Sequence, residues 1–249
     1  MSAALLEIHS LSVRFGGLLA LSDIDLSAHR GEFIGIIGPN GAGKTTFFNA
    51  ISGMVKPTGG SMRFRGRDMT GAQPYLLANA GMARTFQTPR VFARLTTREN
   101  VQFALDFVGS ARRKSEDSFA EVRSWDRLLV RVGLESFATQ QAGSLPPARQ
   151  RLLEIAMALA SHPALLLLDE VAAGLTEAEV RDIAALIGEL RNEHGFTVIW
   201  VEHAVNVLMR TVDRVVVLNQ GIKIADDVPA KVAQDQRVIE AYLGERSEP

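Results

Sequence analysis

The sequence predicts an α/β fold, and three features of the chain carry this prediction. Residues 33–37 form a short apolar run between glycines and are rich in β-branched side chains, which is typical of a strand buried on both faces. Residues 165–168 are four consecutive leucines and indicate a second short strand. From residue 146 onward, helix-forming and strand-forming segments alternate, as they do in open α/β sheets.

Strands and turns account for the first 92 residues. Apolar positions alternate with polar ones in four stretches, namely Leu6 and Ile8, then Leu11, Val13 and Phe15, then Ile24 and Leu26, and finally Met62 and Phe64. Such alternation indicates strands with one buried face. Residues 93–145 differ, because they are helical in pattern, charged and poor in β-branched runs. We therefore expect a helical subdomain at 93–145, inserted into a core made of residues 1–92 and 146–249.

Helix and strand signals return after residue 146. Thr176 and Glu179 have the spacing of a capping box and predict the start of a helix, for which Gly195 is a plausible stop. The apolar run at 196–202 predicts a strand after that helix. Two further strands are expected to form a hairpin around the Asn-Gln-Gly turn at 219–221.

The most specific pattern is the loop between residues 38 and 46, which reads Gly-Pro-Asn-Gly-Ala-Gly-Lys-Thr-Thr and matches G-x-x-x-x-G-K-[ST]. It links a predicted strand to a helix-forming segment, so its N–H groups can face phosphate at the positive end of a helix. Lys44 would reach the β- and γ-phosphates of a nucleotide, and the Thr45 hydroxyl would hold Mg²⁺. The candidate nucleotide-binding residues of the loop are Gly38, Pro39, Asn40, Gly41, Ala42, Gly43, Lys44, Thr45 and Thr46.

Two acids, Asp169 and Glu170, follow the run of leucines directly. Because open α/β sheets bind ligands at the C-terminal ends of their strands, Asp169 is a candidate ligand of Mg²⁺, and Glu170 a candidate to orient or deprotonate a water. Taken alone, Gln87 and His203 are weak evidence for a functional site, because an isolated Gln or His is usually a surface or core residue whose hydrogen bonds are satisfied. Their order in the chain relative to the loop and the acid pair favours a functional role instead.

The composition excludes several classes of function. The 27 basic and 28 acidic residues are interspersed and give a net charge of −1. The sequence therefore shows no excess of basic residues of the kind that attracts nucleic acid. The absence of cysteine excludes disulfides and thiolate metal sites and fits a reducing cytoplasm. No apolar run approaches the roughly 18 residues that span a bilayer, and the N-terminus does not have the pattern of a secretory signal. We expect any membrane association to come through a partner.

The loop, Gln87, the acid pair and His203 follow one another in an order that resembles the ATP-binding subunit of ABC transporters over nearly the whole chain. The resemblance implies a P-loop NTPase core of the ABC type, with an antiparallel β subdomain and an inserted helical subdomain. It also implies ATP and Mg²⁺ as ligands. The implied roles place Thr45, Gln87 and Asp169 at the metal, Phe15 against the adenine, Gln87 also at the attacking water, Glu170 as the catalytic base and His203 at the γ-phosphate.

Four segments narrow the resemblance to the importers of branched-chain, or hydrophobic, amino acids; they lie at residues 37–49, 81–87, 172–175 and 238–244. Subunits for urea or short amides are close relatives of that group, so the cargo stays open here. The implied function is ATP hydrolysis that powers an importer from the cytoplasmic face of the plasma membrane. The implied partners are a second ATP-binding subunit, two membrane permease subunits and, indirectly, a solute-binding protein, with no nucleic acid.

One segment departs from the family pattern. Leu145-Pro146-Pro147-Ala148-Arg149 stands where such proteins have Leu-Ser-Gly-Gly-Gln or Leu-Ala-Tyr-Gly-Gln, a signature loop that caps the γ-phosphate bound by the opposite subunit. Both prolines lack an N–H group, and Pro146 also lacks the hydroxyl. We therefore expect an impaired site and a heterodimer with a partner whose signature is intact. Two alternatives stay open: the prolines simply start a helix, or the chain is a regulatory ATP-binding subunit with little turnover.

Overall fold

The computed structural model describes residues 3–107, 124–202 and 204–244, which divide into two compact units. The first unit contains the residues up to Ala80 and from Thr197 onward, and the second runs from Gly81 to Phe196. The subdomain boundaries expected from the sequence, at 92/93 and 145/146, stay a prediction. No helix within the described ranges combines the length and the apolar character that crossing a bilayer requires.

The first unit contains most of the strands. In chain order they are β1 (Leu6–Phe15), β2 (Leu18–Ala28), β3 (Phe33–Ile37), β4 (Gly59–Phe64), β5 (Arg67–Asp68), β8 (Thr197–Val201), β9 (Arg214–Asn219) and β10 (Ile222–Asp227). One sheet is antiparallel in the order β2-β1-β4-β5. In the other, β3 lies between β9 and β8 and is parallel to both, while β10 pairs with β9 in the antiparallel sense. Antiparallel and parallel sheets therefore coexist, as the sequence predicted.

An irregularity within β1 accounts for its apolar pattern, which changes from even-numbered to odd-numbered positions between Ile8 and Leu11. Ile8 and Leu11 are both buried although they are an odd number of residues apart. Between them the pairing with β2 shifts register, and Ser10 has a positive φ of 46°. This irregularity is a β-bulge, which adds a residue on one strand and returns the following apolar side chains to the same face. The two apolar stretches therefore form a single strand.

Helices of the first unit are α1 (Lys44–Ile51), α2 (Pro74–Ala80), α7 (Val205–Thr211), α8 (Pro229–Val232) and α9 (Gln236–Gly244). Helix α7 packs closely on β3, because a Cβ added at Gly35 would lie 2.0 Å from Leu208 Cδ2. Every residue of β3 and β8 is buried. This is the pattern expected of central strands in a sheet with both faces covered.

The second unit pairs β6 (Met82–Arg84) with β7 (Leu165–Asp169) in parallel. Its helices are α3 (Thr97–Phe107), α4 (Trp125–Arg131), α5 (Pro147–Ala160) and α6 (Glu177–His194), with 3₁₀ turns at Glu135–Phe137 and Ala142–Ser144. Helix α6 begins with the predicted capping box of Thr176 and Glu179 and ends at Gly195, whose φ of 70° is left-handed. The α/β fold predicted from the sequence is confirmed.

Candidate nucleotide-binding and catalytic site

The glycine-rich loop connects β3 to the N-terminus of α1 in the first unit. Gly43 caps α1 in a left-handed conformation with φ of 99°, no side chain caps the helix, and no acidic residue lies in its first turn. No acidic or capping side chain therefore competes with an anion at the positive end of α1. The loop links a strand to a helix as the sequence motif predicted, and its binding of phosphate stays a prediction.

Close packing explains why glycine is required in this loop. A Cβ at Gly38 would lie 2.1 Å from the carbonyl oxygen of Leu218, so no other residue fits without displacing the backbone of β9. The same hairpin holds the loop from the other side, because Gly221 N–H donates a 3.0 Å hydrogen bond to the carbonyl of Ala42. Gln220 and Gly221 both have positive φ, as the tight hairpin predicted at this turn requires. The loop is thus fixed by the end of the β9–β10 hairpin.

Lys44 lies inside the loop and is only 5% exposed. Its ammonium donates hydrogen bonds to the carbonyl oxygens of Gly38 at 2.5 Å and of Pro39 at 2.8 Å. Thr45, by contrast, is exposed, as are Asn40 and Gly41. The positive charge is therefore buried within the loop, while the Thr45 hydroxyl is accessible to a ligand. A hydroxyl oxygen is a suitable donor for Mg²⁺.

Phe15 ends β1, where its ring is 50% exposed. The next exposed apolar side chains along the chain are Leu18, at 68%, and Leu19, at 41%. Phe15 is therefore a surface aromatic rather than a core residue, as stacking on a base requires.

A Phe15→Ala variant is expected to weaken ATP affinity by roughly 1 to 3 kcal/mol, the range known for loss of one base–aromatic stack. Calorimetric titration of the purified chain measures this change. Tyr75→Ala serves as a matched control, since Tyr75 is another exposed aromatic residue of the first unit. An unchanged ATP affinity in Phe15→Ala would remove Phe15 from the binding site.

In the second unit the acid pair ends strand β7. Asp169 is 5% exposed, and its Oδ2 accepts a 2.6 Å hydrogen bond from Arg84 Nη2. Glu170 is less buried and has a positive φ of 46°, an uncommon conformation for a residue with a Cβ. The Gln87 amide Nε2 donates a 2.7 Å hydrogen bond to Glu170 Oε2. The structure therefore brings together Gln87 and Glu170, which are far apart in the sequence.

The segment that carries Gln87 is held by two charged side chains of α5. Arg151 donates to the carbonyl oxygen of Phe86 and, at 2.6 Å, to that of Gln87. Glu154 Oε1 accepts from the N–H groups of Phe86 at 3.2 Å and of Arg90 at 2.9 Å, and its Oε2 pairs with Arg151 at 2.7 Å. These contacts fix the backbone on both sides of Gln87.

Burial raises the pKa of Glu154, while its hydrogen bond from Arg90 N–H and the charge of Arg151 act in the opposite direction. The sequence analysis assigned no role to Arg151 or Glu154. Their spacing in the sequence did indicate an ion pair, because a buried helix face rarely carries two charges three residues apart unless they are paired. Their partners, however, are backbone groups that no pattern in the sequence identifies.

The segment at 145–149 forms the start of α5. Pro146 is the N-cap residue and Pro147 the first residue of the helix. The carbonyl oxygen of Pro146 accepts from the N–H groups of Arg149 at 2.9 Å and Gln150 at 3.0 Å. The Arg149 guanidinium lies over the ring of Phe137, 3.7 Å from its centroid. The prolines therefore do start a regular helix, which was one alternative, and the effect on phosphate contact stays a prediction.

His203 lies outside the described residues. Among the other predicted site residues, the loop at 38–46 and Phe15 belong to the first unit, while Gln87, Asp169 and Glu170 belong to the second. The roles assigned to them are taken up below as proposals.

Comparison with known proteins gives a consistent result. The model of the family described as "ABC transporter" matches residues 21–173, and that of "Branched-chain amino acid ATP-binding cassette transporter" matches residues 223–248. The chain is 41% identical to the high-affinity branched-chain amino acid transport ATP-binding protein BraF of Pseudomonas aeruginosa over 98% of this chain and 100% of BraF. It is 40% identical to the protein LivG of Escherichia coli, of the same description, with the same coverage.

A solved structure of the same fold is the ADP conformation of an ATP-binding cassette of an ABC transporter. It superposes with a TM-score of 0.84 at 28% identity, and the match covers 98% of this chain and 100% of that one. A glycine-rich phosphate loop, an acid pair after a buried strand and full-length similarity to these proteins lead to one conclusion. The chain belongs to the ATP-binding proteins of ABC transporters, in their branched-chain amino acid group.

Proposed function

We propose that this chain binds and hydrolyses ATP to power an importer of branched-chain or other hydrophobic amino acids. The observation that carries the proposal is the similarity over 98% of the chain to BraF, a protein named for branched-chain amino acid transport. The phosphate loop and the Gln87–Glu170 pair supply the chemical groups that hydrolysis requires. An importer subunit for urea or short amides remains the alternative cargo assignment.

The residues of the phosphate loop would bind the triphosphate through backbone N–H groups at the start of α1. Lys44 would exchange the carbonyl oxygens of Gly38 and Pro39 for phosphate oxygens, which form stronger, charge-assisted hydrogen bonds. Thr45 and Asp169 would supply oxygen ligands for Mg²⁺, and Gln87 would contribute its amide oxygen. Because Arg84 occupies Asp169 Oδ2, we assign Oδ1 to the metal or to a water bound to it. Mg²⁺ supplies charge neutralisation of the phosphates in this chemistry.

Glu170 would orient and deprotonate the water that attacks the γ-phosphate. The hydrogen bond from Gln87 Nε2 to Glu170 Oε2 orients this carboxylate. The carboxylate of Glu170 would accept the proton of that water. Arg151 and Glu154 act as positioning residues, because they hold the backbone of the segment that carries Gln87. His203 would contact the γ-phosphate.

We propose that the working unit pairs this chain with a second ATP-binding subunit. Closure around ATP is a population shift, in which nucleotide stabilises the dimer because both halves contact it. In such a dimer the segment at 145–149 of this chain would face the nucleotide of its partner. A heterodimer with an intact signature in the partner would preserve one fully enclosed site. A regulatory subunit with little turnover is the second candidate, supported by the same two prolines.

Two membrane permease subunits and, through them, a solute-binding protein complete the proposed assembly at the cytoplasmic face of the membrane. An exposed aromatic cluster of the second unit supports a docking surface for the permeases. The rings of Phe92 and Phe103 are 4.6 Å apart and those of Phe103 and Phe107 are 5.5 Å apart. All three rings are exposed, Phe107 by 80%, and a contiguous exposed apolar patch is typical of a protein–protein interface. The balanced charge of the chain supports the absence of a nucleic-acid partner.

The cargo is tested by uptake in cells from which this chain has been deleted. We expect the deletion to reduce uptake of labelled leucine, the parental chain to restore it, and a Lys44→Ala copy to fail. Uptake of labelled urea, measured in parallel in the same cells, serves as the control. Loss of urea uptake with leucine uptake unchanged would replace the proposed cargo by the alternative one.

A further inference from the structure

The second unit contains a pocket of about 380 Å³ that includes neither Gln87 nor the acid pair and that is lined in part by Ala148 and Arg149 of the segment at 145–149. Its walls are the C-terminal end of α4, the first turns of α5 and the first half of α6. The apolar side chains of Leu152, Ile183 and Leu186 line it together with four charged residues. The volume lies within the range of about 300–1,000 Å³ that is typical of sites for small molecules.

Two of the four charged residues already have partners. Arg131 Nη2 pairs with Glu193 at 2.6 Å, and Glu179 accepts hydrogen bonds from the N–H and the hydroxyl of Thr176 in the capping box of α6. The other two, Arg149 and Asp182, form no ion pair or hydrogen bond through their side chains within the part of the chain that the structure describes. The pocket therefore offers one charge of each sign to a ligand.

The positive side of the pocket suits a carboxylate. Arg149 uses the face of its guanidinium to stack on Phe137, so its N–H groups, which lie in the guanidinium plane, are left for an acceptor. Arg131 adds a second positive charge to this side of the pocket, although its Nη2 already pairs with Glu193.

The negative side suits an ammonium group. Asp182 is exposed and lies one turn of α6 before Leu186, next to Ile183. Its carboxylate and the guanidinium of Arg149 belong to different helices, so a ligand that contacts both would bridge α5 and α6 across the apolar side chains. The ligand must then carry an ammonium, a carboxylate and an apolar group on a small skeleton.

We propose that this pocket binds an aliphatic α-amino acid and thereby links the occupancy of the pocket to the start of α5. We prefer an aliphatic amino acid over other zwitterionic ligands on the basis of the proposed function. An importer of aliphatic amino acids releases them on the side of the membrane where its ATP-binding subunit lies. The ligand contacts Arg149, a residue of the segment at 145–149. The released cargo thus acts on the segment that faces the nucleotide of the partner subunit.

Calorimetric titration of the purified full chain with L-leucine tests the proposal without any measurement of transport. Saturable binding is expected for L-leucine. It should be at least about tenfold weaker for N-acetyl-L-leucine, which lacks the ammonium, and for L-leucinamide, which lacks the carboxylate. Glycine, which lacks the apolar group, should also bind more weakly. L-Leucine should raise the unfolding temperature of the chain, since a ligand that binds the folded state stabilises it.

Asp182→Asn should weaken L-leucine binding by at least about tenfold, and Arg149→Gln by a similar factor. Glu189→Gln is the matched control, because it makes the same change of charge on α6 at a residue that does not line the pocket. No saturable binding up to about 10 mM L-leucine would overturn the proposal. So would equal affinity for N-acetyl-L-leucine, or parental affinity in Asp182→Asn. The leucine uptake experiment can fail while this titration succeeds, so the two proposals are separable.

Discussion

A Glu170→Gln variant is expected to retain ATP and to lose its hydrolysis by a factor of about 10² to 10⁴, the usual contribution of a general base. Glutamine keeps the size of the side chain and its contact with Gln87, but its amide cannot accept the proton of the attacking water. The variant therefore changes the chemistry of the step while leaving the shape of the site in place. The rate of phosphate release in the assembled complex measures this loss.

Lys44→Ala is the companion variant, since it removes a charge that we propose to contact the phosphates rather than the water. We expect it to weaken ATP binding itself, which equilibrium titration with ATP resolves from a loss of turnover. If Glu170→Gln hydrolysed ATP at the parental rate, the assignment of Glu170 as the catalytic base would be wrong. Parental ATP affinity in Lys44→Ala would contradict the role of the loop.

Restoring a family-like signature is expected to raise the ATPase rate of the isolated chain by about 10² or more, by analogy with the recovery of one preorganised donor to a transition state. The variant carries Pro146→Ser, Pro147→Gly, Ala148→Gly and Arg149→Gln together. It returns a hydroxyl and two N–H groups to the start of α5. The steady-state rate and the ATP-dependent dimer fraction of the parent and the variant give the comparison.

Arg149→Gln alone is the control for this experiment, because it removes the charge and keeps both prolines. If the prolines limit turnover, the single variant should stay close to the parent. Mixing the parent with a subunit whose signature is intact should restore one active site per dimer. A parental chain that by itself dimerises with ATP and hydrolyses it as fast as the fourfold variant would show that the degenerate-site hypothesis is wrong. The prolines would then be only a helix start.

The strand–loop–helix arrangement at residues 38–46 could be predicted from the sequence because it depends on the backbone and on local geometry. Glycines at fixed spacing, one lysine and a neighbouring hydroxyl specify the loop wherever a strand leads into a helix. The structure agrees at Gly43, which caps α1 in a left-handed conformation. The capping box of α6 and the tight turn at Gln220-Gly221 are predictable for the same reason, since each depends on contacts between close neighbours in the chain.

Arg151, Glu154 and Arg149 show what the sequence alone does not determine. The partners of Arg151 and Glu154 are backbone groups about 65 residues earlier in the chain, as the 65-residue separation of Arg151 from Phe86 illustrates. Arg149 stacks on Phe137, a contact that no spacing rule predicts. Sequence pattern captures interactions between residues that share a helix, a strand or a turn. Contacts between distant segments exist only once the chain has packed, so the tertiary structure alone decides which side chains hold Gln87 and which charges face the pocket between α5 and α6.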